Sequence, residues 1–244
     1  MTASLLIARR EIAFYLRSWT GYLIIALVLF LDGLLFNVLS LPGEKRSAEV
    51  LASSNFGFFF NASGVTMIAA ALISMRLIAE ERERGTINLL FSSPVRDGEI
   101  VWGKFLGALG FLAVMTLPTV YMPALVMIHG KVSLGHVAGG YLGLMLLGAA
   151  ALAIGTFASS LTRIPIVAAV IAGCLIVTLI LTWVLGRVTE RPLSDVFSAL
   201  AFHGNHFQPF QSGVIHLRDV VYYLAVIYVA LFSATRVLEA RRWR

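Results

Sequence analysis

Six apolar runs constrain this chain more than any other feature: residues 19–41, 56–79, 105–128, 137–161, 165–185 and 220–237. About 20 apolar residues are needed to cross the ~30 Å hydrocarbon core of a bilayer as a helix, and each run is of that order. The composition agrees, since 59% of residues are hydrophobic, 13% are charged and the mean hydropathy is +0.86. A soluble globule of this length needs more polar surface than that. The sequence therefore predicts an all-α integral membrane protein with one transmembrane domain over residues 1–244 and six spans. The net charge of +6 does not indicate nucleic acid, because the basic residues flank apolar spans and form no stripe interleaved with aromatics in a polar domain. Cys174 is the single cysteine, so no disulfide within the chain is possible, and its place inside an apolar run says nothing about redox compartment.

Residues 2–18 mix apolar and basic positions, with Leu5, Ala8, Ile12 and Leu16 on one helical face and Arg9, Arg10 and Arg17 elsewhere. This pattern predicts an interfacial helix leading into the first span. A cleaved signal peptide fits poorly, because the apolar run after it is too long. Asp32 lies within the first span toward its far end, where hydration makes a carboxylate less costly; it is a candidate for pairing across helices or for a polar path. Ser53, Ser54 and Asn55 can cap the second span, and Asn61-Ala62-Ser63 is a sequon only by chance, since it falls inside that span. Pro118 and Pro123 are expected to kink or open the third span, and Gly103-x-x-x-Gly107 at its start suits close helix approach. The fourth span is rich in Gly and Ala, and Pro165 fits the first turn of the fifth.

One long charged interruption stands out, from Arg76 to Lys104. Its ten charged residues, Arg76, Glu80, Glu81, Arg82, Glu83, Arg84, Arg96, Asp97, Glu99 and Lys104, sit at its two ends. Between them lies the apolar Ile87-Asn88-Leu89-Leu90-Phe91, opened by Gly85-Thr86 and closed by Ser92-Ser93-Pro94. Thr86 as N-cap and Pro94 as stop predict a short amphipathic helix with charged shoulders, suited to contacting another protein.

With six spans, both termini lie on one side. Thirteen of the Lys and Arg residues fall on that side and six on the other, which by the positive-inside rule makes both termini and the 76–104 stretch cytoplasmic and the 187–218 loop external.

The stretch AEERERGTINLLFSSPVRDGEIVWGK, the fourth-span GLMLLGAAALAIGTFASSLT, and GVIHLRDVVYYL with the terminal LEARRW together resemble the permease subunits of ABC-2 type ABC transporters, most of all the gliding-motility-associated and nitrous-oxide-reductase-maturation branch. The resemblance implies a permease, in a bacterial or archaeal cytoplasmic membrane, that works with a separate ATPase subunit holding ATP and Mg²⁺. It also implies a second permease copy or a related permease beside it, and re-entrant character in the outer loop. Residues 80–94 then correspond to the coupling region, with Glu80, Glu81, Arg82, Glu83 and Arg84 as its charged flank and Thr86, Ile87, Leu89, Leu90 and Phe91 in the docking helix. Cargo and direction are not specified beyond the expectation of export.

Other readings are weaker. Gly98-x-x-x-x-Gly103-Lys104 has the spacing of a phosphate-binding loop, but Phe105 replaces the Ser or Thr that Mg²⁺ needs, so no nucleotide site is expected in this chain. Paired Glu80-Glu81 resembles the glutamates of membrane-embedded proteases, but Arg84 is one position too close. His203 and His206, with His216, Glu190 and Asp195, are potential metal ligands at loose spacing; the neighbouring Phe202, Phe207 and Phe210 instead predict a hairpin dipping into the bilayer, so no metal is expected. The aromatic residues of that loop, Phe197 included, would also suit an amphiphilic cargo. An ion-coupled secondary transporter is the alternative function, with Asp32 as its one buried ionisable group.

Overall fold

A computed structural model describes residues 3–40, 48–86, 95–129 and 133–242. Among them there is no strand. Helices α1 (Ala3–Arg17), α2 (Trp19–Leu35, widening into a π turn over Phe36–Ser40) and α3 (Ala48–Ser74) are followed by the short α4 (Ala79–Glu83). Then come α5 (Asp97–Thr116), a 3₁₀ turn (Leu117–Val120), α6 (Tyr121–His129), α7 (Leu134–Leu161) and α8 (Pro165–Val188). Two short helices, α9 (Leu193–Leu200) and α10 (Gly204–Gln211), precede α11 (Leu217–Arg242). Six of these segments are long and apolar enough to cross a membrane: Trp19–Val38, Gly57–Glu83, Asp97–Met127, Leu134–Leu161, Pro165–Val188 and Leu217–Arg241.

The small residues of α7 put that helix at the centre, packed on α3, α5, α8, α10 and α11. Leu147, Ala150, Ala151, Leu152 and Ala153 are fully buried there. Spans α2, α8 and α11 lie at the periphery, where exposed Leu23, Phe30, Val170, Val177, Tyr228 and Val229 suit lipid contact. Ser4, Arg96, Gly98, Thr235 and Glu239 line one cavity, so the start of α1, the start of α5 and the end of α11 share one end of the bundle, here the terminal end.

Several boundaries differ from the sequence reading for identifiable reasons. The helix of the second span, α3, begins at Ala48, so positions 53–55 lie inside it and not at its start. The third span starts at Asp97, eight residues early, because Glu99 accepts the Arg96 backbone N–H at 3.1 Å and caps the helix before the apolar run begins. Pro118 does break that span, through the 3₁₀ turn. The loop 187–218 holds two helices folded back onto the bundle. Phe202, Phe207 and Phe210 are fully buried, with Phe210 seated against Gly143 and Phe202 against Tyr223. These rings pack on protein and not, as the sequence suggested, on the bilayer surface; Phe197 is half-buried.

Candidate functional site

At the terminal end, α3 gives way to α4 through a four-residue break whose backbone is held by one hydroxyl. Ser159 Oγ, on α7, accepts the N–H groups of Ile78 (3.1 Å) and Ala79 (2.9 Å) and donates to the carbonyl of Met75 (3.0 Å). Arg82 Nη1 donates to the Ser160 carbonyl at 2.6 Å, pinning α4 to the end of α7. A helix start has orphan N–H groups, and here a side chain from another helix satisfies two of them. Gly85, at φ +71°, ends α4 in the left-handed region that glycine tolerates. Thr86 donates to the Glu81 carbonyl at 3.3 Å, so within the described residues it closes α4; its predicted role as N-cap of the next helix concerns residues 87–94. Ile87, Leu89, Leu90 and Phe91 lie outside the described residues.

Arg76, Glu80, Glu81, Arg84 and Lys104 are held in ion pairs. Arg76 grips Glu80 with two guanidinium contacts (2.5 and 2.9 Å), reaches Thr20 at 2.8 Å, and lies over the Phe14 ring; Arg84 meets the same Glu80 at 2.6 Å. Lys104, on α5, has a side chain only 3% exposed and touches two carboxylates, Glu11 of α1 at 2.7 Å and Glu81 of α4 at 2.8 Å. Burying an ammonium is costly unless it is paired, and this one is paired twice. Tyr15 on α1 adds a neutral tie, donating to the Ile73 carbonyl at 3.0 Å. Its phenol is raised well above the usual value by burial and then by the neighbouring Glu11. These groups surround a cavity of about 420 Å³ that also touches Arg10 and Thr86.

Close contact of α1 with α5 makes this geometry possible. A Cβ on Gly107 would sit 2.5 Å from Glu11 Cβ and 2.9 Å from the Ala8 carbonyl oxygen, and one on Gly103 would sit 2.8 Å from Ile7 Cβ. The Gly103/Gly107 pair thus serves the approach its spacing predicted. The face α1 turns inward carries Ala8, Glu11 and Tyr15, while Leu5 remains half-exposed. The apolar face read from the sequence differs because Glu11 has a cationic partner on α5. Lys104 is helical and held by carboxylates, which removes it from any phosphate-binding role.

Of the predicted site residues, Glu80, Glu81, Arg82 and Arg84 converge on this end of the bundle, and Glu83 shares their helix. Asp32 is far from them in the first span. It is 5% exposed and its Oδ1 has no hydrogen-bond partner, so the hydrated setting expected for it is replaced by burial among helices. Glu11, Tyr15, Lys104 and Ser159 were not foreseen as a group. In the sequence Lys104 reads as the last charge of the 76–104 interruption, just before the third span, and no spacing rule connects it to Glu11.

The opposite end has its own polar fastening. His206 Nδ1 lies 2.7 Å from Asp219 Oδ1 and its Nε2 is 3.2 Å from the Ala199 carbonyl; Tyr222 stacks on the ring at 3.9 Å. His203 instead meets Ser63 of α3 at 2.6 Å, and burial lowers its pKa. The two imidazoles have separate partners. No group of three or more metal-ligating side chains occurs among the described residues.

A bundle with six helices long and apolar enough to cross a membrane, and a pinned, charged junction after the second, is that of a multi-pass membrane protein. Residues 5–197 match the family described as ABC-2 family transporter protein, and the chain belongs to that family. A comparison with curated proteins finds no match. Family membership makes the chain a membrane transport subunit that is not itself catalytic and whose kind of partner is an ATPase subunit.

Proposed function

We propose that this chain is the permease subunit of an ATP-driven exporter in a bacterial or archaeal cytoplasmic membrane, with both termini and the 76–104 stretch cytoplasmic. In this reading segment 87–94 docks on a separate ATPase subunit that binds ATP and Mg²⁺, and two permease halves, identical or related, enclose the path. The observation that carries it is the two-sided ion pair of Lys104. The chain leaves for the docking segment from α4, through Glu81, and returns through α5, through Lys104, and these are tied at 2.8 Å and again to α1 through Glu11. A segment clamped at both ends transmits a push to the spans as a rigid body, which is what nucleotide-driven closure of a partner requires. The 87–94 sequence, apolar between charged shoulders, supplies the contact.

The test is affinity co-purification in detergent followed by an ATPase assay, comparing the native chain with Leu89→Asp/Leu90→Asp. A nucleotide-binding protein that accompanies the native chain and is lost from the variant supports the reading. Native chain that inserts, folds and transports with no ATPase bound would sink it.

A second reading, ion-coupled transport, has one observation in its favour, the buried and incompletely bonded carboxylate of Asp32. Such a group inside a span is a functional candidate by default. Transport unchanged in Asp32→Asn removes that support.

A further inference from the structure

Far from the charged junction, α3, α8 and α10 enclose a cavity of about 330 Å³ whose lining sorts into two halves. One is apolar, formed by Phe60 and Trp183. The other is polar, formed by Arg187, His203, Gln208 and Gln211, and it contains no carboxylate. Arg187 is exposed and its Cζ lies over the Trp183 indole, 3.9 Å from the ring centroid, with no acidic partner within salt-bridge distance among the described residues. Gln211 is 1% exposed, yet its Nε2 has no hydrogen-bond acceptor. A buried amide donor without a partner costs about 1–3 kcal/mol, and that cost is removed when a ligand oxygen accepts its bond.

The cavity is built and not a gap left by loose packing. The indole of Trp183 closes on the backbone of Gly204, so tightly that a Cβ there would overlap the ring. His203 is fixed because the one proton of Ser63 goes to the Phe60 carbonyl at 2.6 Å, leaving the hydroxyl oxygen to accept from His203 Nε2. Phe60 stands edge-on to the same imidazole and is 54% exposed, and Val184, one turn before Arg187 on α8, is 44% exposed. The apolar half therefore opens onto surface of the kind that meets lipid chains, while the polar half faces the end of the bundle.

We infer that this cavity binds an amphiphile with an anionic, oxygen-rich head, the chemistry of a phosphorylated lipid: chain against Phe60 and Trp183, head on Arg187, with one oxygen accepting from Gln211 Nε2. Arg187 supplies charge and a flat donor array suited to phosphate oxygens. The pocket serves a resident lipid or a transported one equally well, and the inference does not depend on ATP coupling.

The test uses the full chain with Trp19, Trp102 and Trp243 replaced by Phe, so that Trp183 is the sole emitter, in phosphatidylcholine vesicles. Brominated-chain phosphatidylglycerol is titrated in, with brominated-chain phosphatidylcholine as the reference quencher. Trp183 is expected to be quenched at least tenfold more effectively by the anionic lipid, and this preference is expected to fall toward unity in Gln211→Leu and in Arg187→Gln. The second variant changes an exposed side chain, so loss of folding does not confuse it. Equal quenching by the two lipids overturns the inference, as does a preference that both variants retain. Relief of quenching by millimolar inorganic phosphate assigns the polar half to a free anion and overturns the requirement for a chain.

Discussion

Lys104 and Glu81 lie on opposite sides of the 87–94 segment in sequence and meet at 2.8 Å, with Glu11 completing the set at 2.7 Å. Removing the cation leaves two partly buried carboxylates facing each other. Lys104→Met is therefore expected to destabilise the protein by about 3–5 kcal/mol, the cost of breaking a buried pair from one side. Glu11→Gln is expected to cost less, because Lys104 keeps Glu81. Thermal unfolding of the detergent-solubilised variants measures both, and equal melting temperatures for the native chain and Lys104→Met would show that the pairing is not structural.

Ser159 holds the α3–α4 break with three hydrogen bonds, so Ser159→Ala orphans the N–H groups of Ile78 and Ala79 at no change in packing volume. A loss of about 1–3 kcal/mol is expected. Ser159→Thr, which keeps the hydroxyl, is expected to recover part of it. Hydrogen exchange at Ile78 and Ala79 reads the effect directly: both amides should lose protection in the alanine variant while those of mid-α7 do not.

Most of the architecture was legible in the sequence because each span is set by one local property, an apolar run of sufficient length. Pro165 and Pro118 acted where their missing N–H predicts. What was not legible depends on partners distant in sequence. Glu11 reads as one more charge of a helix lying on headgroups until Lys104 is placed beside it. Phe202, Phe207 and Phe210 read as a membrane-seeking cluster until α7 and α11 are brought over them. Asp32 reads as hydrated near a span end until neighbouring helices cover it.

Gly107 faces the Ala8 carbonyl and Glu11 Cβ at distances that exclude any side chain. Gly107→Leu is expected to lever α1 off α5 and to separate Glu11 from Lys104. With Cys174 replaced by Ser, a single cysteine at Ala8, which is buried in the native protein, should be blocked from water-soluble maleimide in the native background and labelled in the Gly107→Leu background. Unchanged labelling would mean that the helix accommodates the side chain in place.

His203 gives the fold a pH dependence whose sign follows from burial. Its pKa is depressed below the ordinary 6.5, so the folded state favours the neutral ring that bonds Ser63. The unfolded chain binds more protons on acidification, and stability contributed by His203 is complete above pH 6.5 and declines as the pH falls through and below that value. The melting temperature of the native protein is accordingly expected to drop between pH 7.5 and pH 5.5 by more than that of His203→Gln, whose amide can bond Ser63 at either pH. Parallel slopes for the two proteins across that interval would assign the acid sensitivity to other groups.

Asp219 and His206 fasten the folded-back α10 to the start of α11 at a site where Asp219 is fully buried and Oδ2 has no partner. Removing His206 leaves the buried Asp219 with only the 3.5 Å contact of Arg218 Nε, and removing Asp219 takes the acceptor from His206 Nδ1, whereas removing both leaves an apolar contact under Tyr222. Asp219→Leu and His206→Phe are each expected to lower stability by a few kcal/mol, about 3–5 at most. The double variant is expected to lose less than the sum of the two, by at least about 1 kcal/mol. A double-mutant cycle on thermal or denaturant unfolding decides it. Additive losses would mean that the 2.7 Å contact contributes no coupling, and that α10 is held instead by Phe207 and Phe210, the two fully buried rings on its inner face.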